Sequence, residues 1–292
     1  MSQYMLENAF FTKDADNTNT YHPTTYARGP WDPNSLHGRV ISGLIAYEIE
    51  TNHRDAENPG SLQIVRITVD LFRLPPMAPL EVTSDIIRSG RRIKVIDVHI
   101  TTEDPDRGRI EIARGSVIML HKSQEPPGTI WSPPGWDVQV PDKTLDIPEP
   151  RDGRMPMWQT VNVGNSDGPK TAADNISHGK TVSSNEQAIG ARRAWIRETH
   201  NLIENEQPSP VVRVAQVADF ANPFVNSGTE GLNYINADIS LYLHRYPIGD
   251  WIGTETFYHG ADDGISLASI ALYDAIGKIG TSTVSGLAQI RS

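Results

Sequence analysis

An internal repeat constrains the fold of this 292-residue chain more than any other feature of its sequence. Four segments rich in β-branched and aromatic residues follow one another in the first half, and four similar segments return in the same order in the second half. The first segment of each set ends in an Arg-x-Pro tripeptide, and the two tripeptides lie 172 positions apart (245 − 73), at residues 73–75 and 245–247. The turn residues Gly90 and Gly264 lie 174 positions apart (264 − 90). Shared order and spacing predict a duplicated set of antiparallel strands.

A helix is predicted in front of each set of four strands. Residues 37–50 place apolar side chains at helical spacing, and residues 209–220 begin with Ser209 as a cap and Pro210 in the first turn. Hairpin-like pairs precede the helices, at residues 10–11 with 21–28 and at residues 158–163 with 188–197. The predicted strands are residues 64–73, 80–87, 93–100, 110–120, 234–246, 251–258, 265–273 and 279–290. Each half can therefore form a curved antiparallel sheet that wraps one long helix.

Proline and glycine concentrate between residues 124 and 179, where they oppose a long helix or a central strand. This stretch is predicted to be a surface connector between the two halves. The sequence therefore divides into an N-terminal repeat at residues 1–123, a connector at residues 124–156 and a C-terminal repeat at residues 157–292.

Composition excludes several classes of function. The chain has no cysteine, so a disulfide scaffold, a thiolate–metal site and a cysteine nucleophile are all excluded. With 26 Lys and Arg against 36 Asp and Glu, the net charge of −10 argues against nucleic acid as a partner. The sequence shows neither a signal peptide nor an apolar run long enough to cross a bilayer. We therefore expect a cytoplasmic protein without a membrane span.

Several segments match one family in order and spacing. They are residues 28–38, which lead into the first helix, and residues 195–197, 218–222, 236–245 and 282–286 in the second half. On these residues the sequence resembles the acyl-CoA thioesterase II-like family, in the branch called the thioesterase-like superfamily. The resemblance implies an α+β fold of the double hotdog type, with two tandem repeats that each wrap a long helix in a curved antiparallel sheet.

The resemblance also implies an activity in lipid metabolism, the hydrolysis of acyl-CoA or another acyl thioester by activated water, without a covalent intermediate and without a cofactor. The family's catalytic aspartate falls on Asp219, its threonine on Asn236 and its glutamine on Ser285. Asp219 is the predicted general base, since a carboxylate within hydrogen-bond reach of water can take its proton. The amide of Asn236 and the hydroxyl of Ser285 can still hold that water. A turn-forming role at a helix end is the alternative for Asp219.

The candidate substrate-binding residues lie in the first half. His37 and Gly38 open the first predicted helix, where free backbone N–H groups could polarise a thioester carbonyl. Arg39 stands where the family branch usually has a small residue, and it could crowd the site or bind an anion. Arg91 and Arg92 lie at a turn and could bind the phosphates of coenzyme A, although a solvated hairpin end explains them as well. The histidines lack metal-ligand spacing, so no metal site is predicted.

Two other functions stay open at this point. A different enzyme of the same fold, such as a dehydratase or cyclase acting on an acyl or polyketide-like substrate, would be compatible with the changes at Asn236 and Ser285. A non-catalytic protein that binds an acyl ligand is the second alternative. The sequence leaves undecided the acyl chain, the choice between coenzyme A and an acyl-carrier protein, and the formation of a homo-oligomer.

Overall fold

The computed structural model describes residues 8–55, 57–58, 60–133, 135–136, 140, 157–160 and 192–289. The predicted connector lies outside these residues from 141 to 156, and so does most of the second predicted hairpin, at residues 161–191. No helix in the described ranges has the length and apolar character needed to cross a membrane.

The described elements follow the predicted order of hairpin, helix and four strands in each half. The first half contains β1 (Ala9–Lys13), β2 (Thr20–Pro23), α1 (Gly38–Asn52), β3 (Leu62–Leu71), β4 (Leu80–Ser89), β5 (Ile93–Asp104) and β6 (Gly108–His121). The second half contains β7 (Met157–Thr160), β8 (Arg193–Arg197), β9 (Asn201–Ile203), α2 (Pro210–Ala218), α3 (Ala221–Asn226), β10 (Ser227–Gly228), β11 (Gly231–Leu232), β12 (Tyr234–Asn236), β13 (Asp238–Leu243), β14 (Trp251–Asp262), β15 (Ile265–Asp274) and β16 (Gly277–Ala288).

One large antiparallel sheet joins the two halves. The first half contributes strands in the order β3-β6-β5-β4, and the second contributes β13-β16-β15-β14. β3 and β13 pair antiparallel at the centre, with Thr68 opposite Ser240. β2 continues the sheet beside β4, and β8 continues it beside β14. The two halves therefore have the same strand order on either side of the β3–β13 pair.

The two long helices lie against one another beneath this sheet. A Cβ atom placed on Gly38 would lie 2.8 Å from Asp219, and one placed on Gly43 would lie 2.9 Å from Gln216, so α1 and α2 run antiparallel at close range. Both helices direct fully buried aliphatic side chains, such as Leu44 and Val214, into one core shared with the strands. Burial of such side chains contributes about 1.5–3 kcal/mol each. The core thus holds α1 and α2 side by side in opposite directions.

The second helix is shorter than predicted. Instead of running over residues 209–220, α2 ends at Ala218 and a new helix, α3, begins at Ala221. Pro223 explains the break, because a continuous helix would need its missing N–H to bond the Asp219 carbonyl four residues earlier. That carbonyl instead accepts a hydrogen bond from the Asn222 N–H at 3.2 Å. Asp219 therefore lies at a helix break rather than inside a helix.

The strand predicted at residues 234–246 is interrupted at Ala237. Asn236 pairs with Gly286 and Ser240 pairs with Thr283, so the register between the two segments and β16 shifts by one residue. Such a bulge reverses the alternation of side chains along a strand. Asn236 consequently faces the helices, whereas the side chain of Asp238 bonds Ser285 on the opposite face of the sheet.

The buried carboxylate of Asp274 makes the free energy of unfolding depend on pH in the acidic range. Burial alone would raise the pKa of Asp274, but hydrogen bonds from Arg245 and from the N–H groups of Ile248 and Ile276 lower it from 3.8 to about 2. Because the folded-state pKa lies below the unfolded value, the stabilisation is complete above about pH 4 and is lost as pH falls to about 2. It amounts to about 2 kcal/mol.

Urea unfolding of the wild type and Asp274→Asn should therefore differ most near pH 7 and converge as the pH approaches 2. A difference that stays constant over this range would contradict the ionic role of Asp274.

Candidate active site

Three separate segments bring polar side chains together around Asp219. The carboxylate lies at the break between α2 and α3, and its side chain is 6% exposed. Its Oδ2 is 3.1 Å from Nδ1 of His37, the residue that caps the start of α1. Its Oδ1 accepts a hydrogen bond of 3.0 Å from the Asn236 side chain at the end of β12. The site is thus built from both halves of the chain.

The hydrogen bonds determine which atoms remain free. An ionised carboxylate only accepts, so the 3.1 Å contact is a hydrogen bond when His37 carries a proton on Nδ1; without that proton, Nδ1 can accept from the Arg39 backbone N–H at 3.5 Å. The histidine side chain is 28% exposed, which is more than Asp219. Asn236 uses its amide N–H groups on Asp219 and, at 3.4 Å, on the Asp238 carbonyl. Asn236 therefore contacts the carboxylate directly, and its predicted contact with the attacking water stays a prediction.

Gly38 allows the first turn of α1 to approach the carboxylate. A Cβ atom at this position would lie 2.8 Å from Asp219 Oδ1, closer than real Cβ contacts. The first N–H groups of a helix have no partner within the helix and carry a partial positive charge. The helix start predicted at His37 and Gly38 consequently lies beside Asp219, where it can stabilise negative charge on a bound substrate.

Two asparagines that the sequence analysis did not single out extend this network. Asn222 Nδ2 lies 3.3 Å from Asn236 Oδ1, and Asn226 Nδ2 donates to Asn222 Oδ1 at 2.9 Å. Both lie in α3, four residues apart and therefore on one helix face. In the sequence, two asparagines four residues apart that closely follow Asp219 were the signal that could have predicted this network.

The structure corrects the prediction for Ser285. The Ser285 backbone N–H and hydroxyl both donate to Asp238 Oδ1, the former at 2.6 Å. Its neighbour Gly286 is the residue that faces Asn226, and adjacent strand residues point to opposite faces. Ser285 is therefore on the far face of the sheet and is not in contact with the Asp219 network.

The structure also corrects the prediction for Arg39. Its side chain is 2% exposed, and its Nη1 is 3.1 Å from Oε2 of the fully buried Glu198. The guanidinium also lies over the Phe10 ring at 4.8 Å. Arg39 therefore neither crowds Asp219 nor offers its charge to an anion, because packing of α1 directs it into the interior.

Arg91 and Arg92 lie on the exposed β4–β5 turn. This turn adjoins the C-terminal end of α1, since Lys94 of β5 donates to the carbonyl of the C-cap residue His53 at 3.4 Å. Asp219 lies at the opposite end of this 15-residue helix, about 22 Å away along its axis. The structure does not bring these arginines to Asp219.

The other end of the helix pair has different chemistry. The internal repeat has a spacing of 172 positions, so each position of the first half has a counterpart 172 residues later. The N-cap of α1, His37, corresponds to the N-cap of α2, Ser209, and Tyr47 corresponds to Asp219. Ser209 donates to Glu50, and the Tyr47 hydroxyl donates to Glu206 at 2.6 Å, with Lys13 bonding both groups. A cavity of about 340 Å³ lies between these groups. This end carries no counterpart of the histidine–aspartate pair.

Helices packed against one large antiparallel sheet are the arrangement of the hotdog class, and solved hotdog structures have a similar fold. Similar folds occur in a hotdog-fold protein from Alicyclobacillus acidocaldarius (TM-score 0.65, 12% identity, 100% of both chains covered) and in the acyl-CoA thioesterase II TesB2 from Mycobacterium marinum (TM-score 0.60, 13% identity, 96% of both chains). The tesB protein of Mycobacterium avium subsp. paratuberculosis is also similar (TM-score 0.61, 12% identity, 95% of both chains). Among curated proteins, none matches this chain in sequence.

Sequence profiles identify the family. Residues 27–120 match the acyl-CoA thioesterase N-terminal domain, and residues 146–287 match the acyl-CoA thioesterase C-terminal domain. The chain belongs to the acyl-CoA thioesterase family and is a thioesterase-like hydrolase, as the resemblance predicted. In the described part of the chain, no three His, Asp or Glu side chains are grouped in a way that could hold a metal ion.

Proposed function

We propose that this protein hydrolyses acyl-CoA or a related acyl thioester with a water molecule that Asp219 activates, without a covalent intermediate. The observation that carries the proposal is the arrangement of Asp219, whose two carboxylate oxygens are each held by one donor, His37 and Asn236, beside the start of α1. A nearly buried carboxylate held in this way is oriented toward a substrate at the junction of the two halves. Such orientation is a large part of the advantage that a catalytic base provides.

The proposed reaction has two steps. The water oxygen bonds to the thioester carbon while Asp219 takes a proton, and the oxyanion that forms is stabilised by backbone N–H groups at Gly38. The carbonyl then re-forms as the carbon–sulfur bond breaks, and the proton on Asp219 passes to the leaving sulfur, which departs as the thiol and returns Asp219 to its ionised form. With no cysteine in the chain, a cysteine acyl-enzyme has no part in this scheme.

The proposal extends to the architecture and the substrate. The equal strand orders of the two halves support a double hotdog fold, with repeats at 1–123 and 157–292 and a connector at 124–156. Arg91 and Arg92 remain candidates for the phosphates of coenzyme A at a distance from Asp219. A cytoplasmic location and assembly into a homo-oligomer remain expectations.

The test is thiol release from a panel of acyl-CoAs of different chain lengths, with product masses measured in parallel. Release of free coenzyme A together with the fatty acid is the expected result. Absence of thiol release from every acyl-CoA and every acyl-carrier-protein thioester tested would overturn the proposal.

A dehydratase-like reaction is the second candidate, and the His37–Asp219 pair is the observation that favours it. One base and one acid at 3.1 Å could remove a proton and protonate a leaving hydroxyl. A product lighter than a 3-hydroxyacyl-CoA substrate by one water, with the thioester intact, would establish this reaction instead.

The different positions of Asn236 and Ser285 lead to a paired prediction. We expect Asn236→Ala to lower kcat for hydrolysis about tenfold or more, because Asp219 loses the donor to Oδ1. Ser285→Ala should change kcat less than twofold, since Ser285 bonds Asp238 on the other face of the sheet. Steady-state kinetics of both variants checks this, and a larger loss in Ser285→Ala would contradict the placement.

A further inference from the structure

The amides of Asn226, Asn222 and Asn236 form a chain of hydrogen bonds that ends on Asp219. Asn226 donates to Asn222 at 2.9 Å, Asn222 Nδ2 is 3.3 Å from Asn236 Oδ1, and Asn236 donates to Asp219 at 3.0 Å. Asn222 and Asn226 are 2% and 6% exposed. We infer that Asn222 is a positioning residue for the reaction, because it donates to the amide oxygen of Asn236 and so holds the NH₂ group of that amide against the carboxylate; this inference rests on the proposed role of Asp219.

The backbone carbonyls of Tyr234 and Asp238 determine which side of the Asn222 and Asn236 amides is the donor in this chain of hydrogen bonds. Asn222 Nδ2 lies 3.0 Å from the Tyr234 carbonyl oxygen, which can only accept, so this side of the Asn222 amide must be its NH₂ group. The same NH₂ group faces Asn236, which must therefore turn its oxygen toward Asn222. The NH₂ group of Asn236 then points to Asp219 and to the Asp238 carbonyl.

The opposite orientation of Asn236 would be unfavourable. Its amide oxygen would then face a carboxylate oxygen at about 3 Å, where two acceptors repel one another. Without a donor at position 222, the NH₂ group of Asn236 would still bond Asp219 at 3.0 Å and the Asp238 carbonyl at 3.4 Å, but the amide oxygen of Asn236 would lose its donor. Asn222 thus holds the far side of the Asn236 amide and restricts its rotation next to the carboxylate.

This chain also explains how the site functions without Ser285. Ser285, the third predicted site residue, faces away from Asp219, so it does not contact the Asp219 network. The helix break between Ala218 and Ala221 instead brings Asn222 and Asn226 of α3 next to the Asn236 side chain. The orienting group is consequently on the helix side of the site.

The test is a double-mutant cycle of Asn222→Ala and Asn236→Ala, with kcat and KM measured for the hydrolysed acyl-CoA. Asn222→Ala should lower kcat about tenfold and leave KM within twofold, since Asn222 does not touch the substrate. In the Asn236→Ala background the same change should lower kcat less than twofold, because the group that it orients is already absent. Asn233→Ala removes a matched amide whose side chain, among the described residues, bonds the Glu230 carbonyl and none of Asp219, Asn222 and Asn236, and it should leave kcat unchanged.

The positioning role of Asn222 and the proposed function are overturned by different results. Equal losses from Asn222→Ala in both backgrounds, or a loss confined to KM, would overturn the positioning role of Asn222. Should Asn222→Ala not fold, Asn226→Ala tests the same chain one step further out and is expected to lower kcat twofold to fivefold only when Asn236 is present. A wild-type rate in Asp219→Asn would overturn the proposed function itself, whatever the cycle shows.

Discussion

Asp219→Asn is expected to lower kcat for acyl-CoA hydrolysis by about 10²–10⁴-fold, the usual contribution of a catalytic base. The asparagine keeps the size of the side chain, and it can still accept at one atom, but it cannot take a proton from water. Its NH₂ group would also face the donor of either His37 or Asn236 at about 3 Å. The first effect acts on the reaction, whereas the contact between two donors also lowers the stability of the folded state.

Thiol-release kinetics at saturating substrate measures this effect, and thermal unfolding of the variant shows that the chain is folded. Asp106→Asn serves as a matched control, because Asp106 lies in the exposed β5–β6 turn, far in sequence from the site. A variant Asp219→Asn that retains more than a tenth of the wild-type kcat would exclude Asp219 as the base.

Glu198→Gln is expected to lower the free energy of unfolding by about 3–5 kcal/mol, because it removes the charge of a buried carboxylate that lies 3.1 Å from the buried Arg39 guanidinium. Both side chains of the pair are at most 2% exposed, at an N–O distance of 3.1 Å. Burial alone would raise the pKa of Glu198, but the charge of Arg39 and hydrogen bonds from His200 lower it below its ordinary value. Glu198 is therefore held ionised in the interior.

Urea unfolding at pH 7 measures the loss. Glu81→Gln is the matched control, since its pair with Arg109 has a similar distance of 3.2 Å but lies 34–52% exposed, and such pairs contribute about 1 kcal/mol or less. Combining Glu198→Gln with Arg39→Met should restore part of the stability, because no buried charge then remains. No gain in the double variant would show that the loss arises from packing instead.

Long periodic segments made most of the fold predictable. The eight main strands and the starts of both long helices were predictable from local signals: alternating apolar and polar residues, helix caps and turn residues. Asp219 and Asn236 were predicted as site residues from a family resemblance, and the structure brings them within hydrogen-bond distance.

Effects that depend on one residue of register were not predictable in this way. Ser285 and Gly286 are neighbours, yet only Gly286 faces the helices, and the bulge at Ala237 reverses the faces of the strand opposite. The partner of Arg39 is 159 positions away, so local pattern could not show that its charge is buried. The contact of Asn222 with Asn236 could be predicted only by knowing that the helix breaks before Pro223 and that α3 then packs next to the site.

The shift of 172 positions that relates His37 to Ser209 and Tyr47 to Asp219 has a genetic consequence. In a pair of identical subunits related by twofold symmetry, one codon specifies the corresponding residue at both ends of the helix pair, so every substitution occurs twice. Here each end has its own codons. A mutation that improves the acid–base pair at one end leaves the Lys13–Tyr47–Glu206 cluster at the other end unaltered, and the two ends can diverge independently under selection.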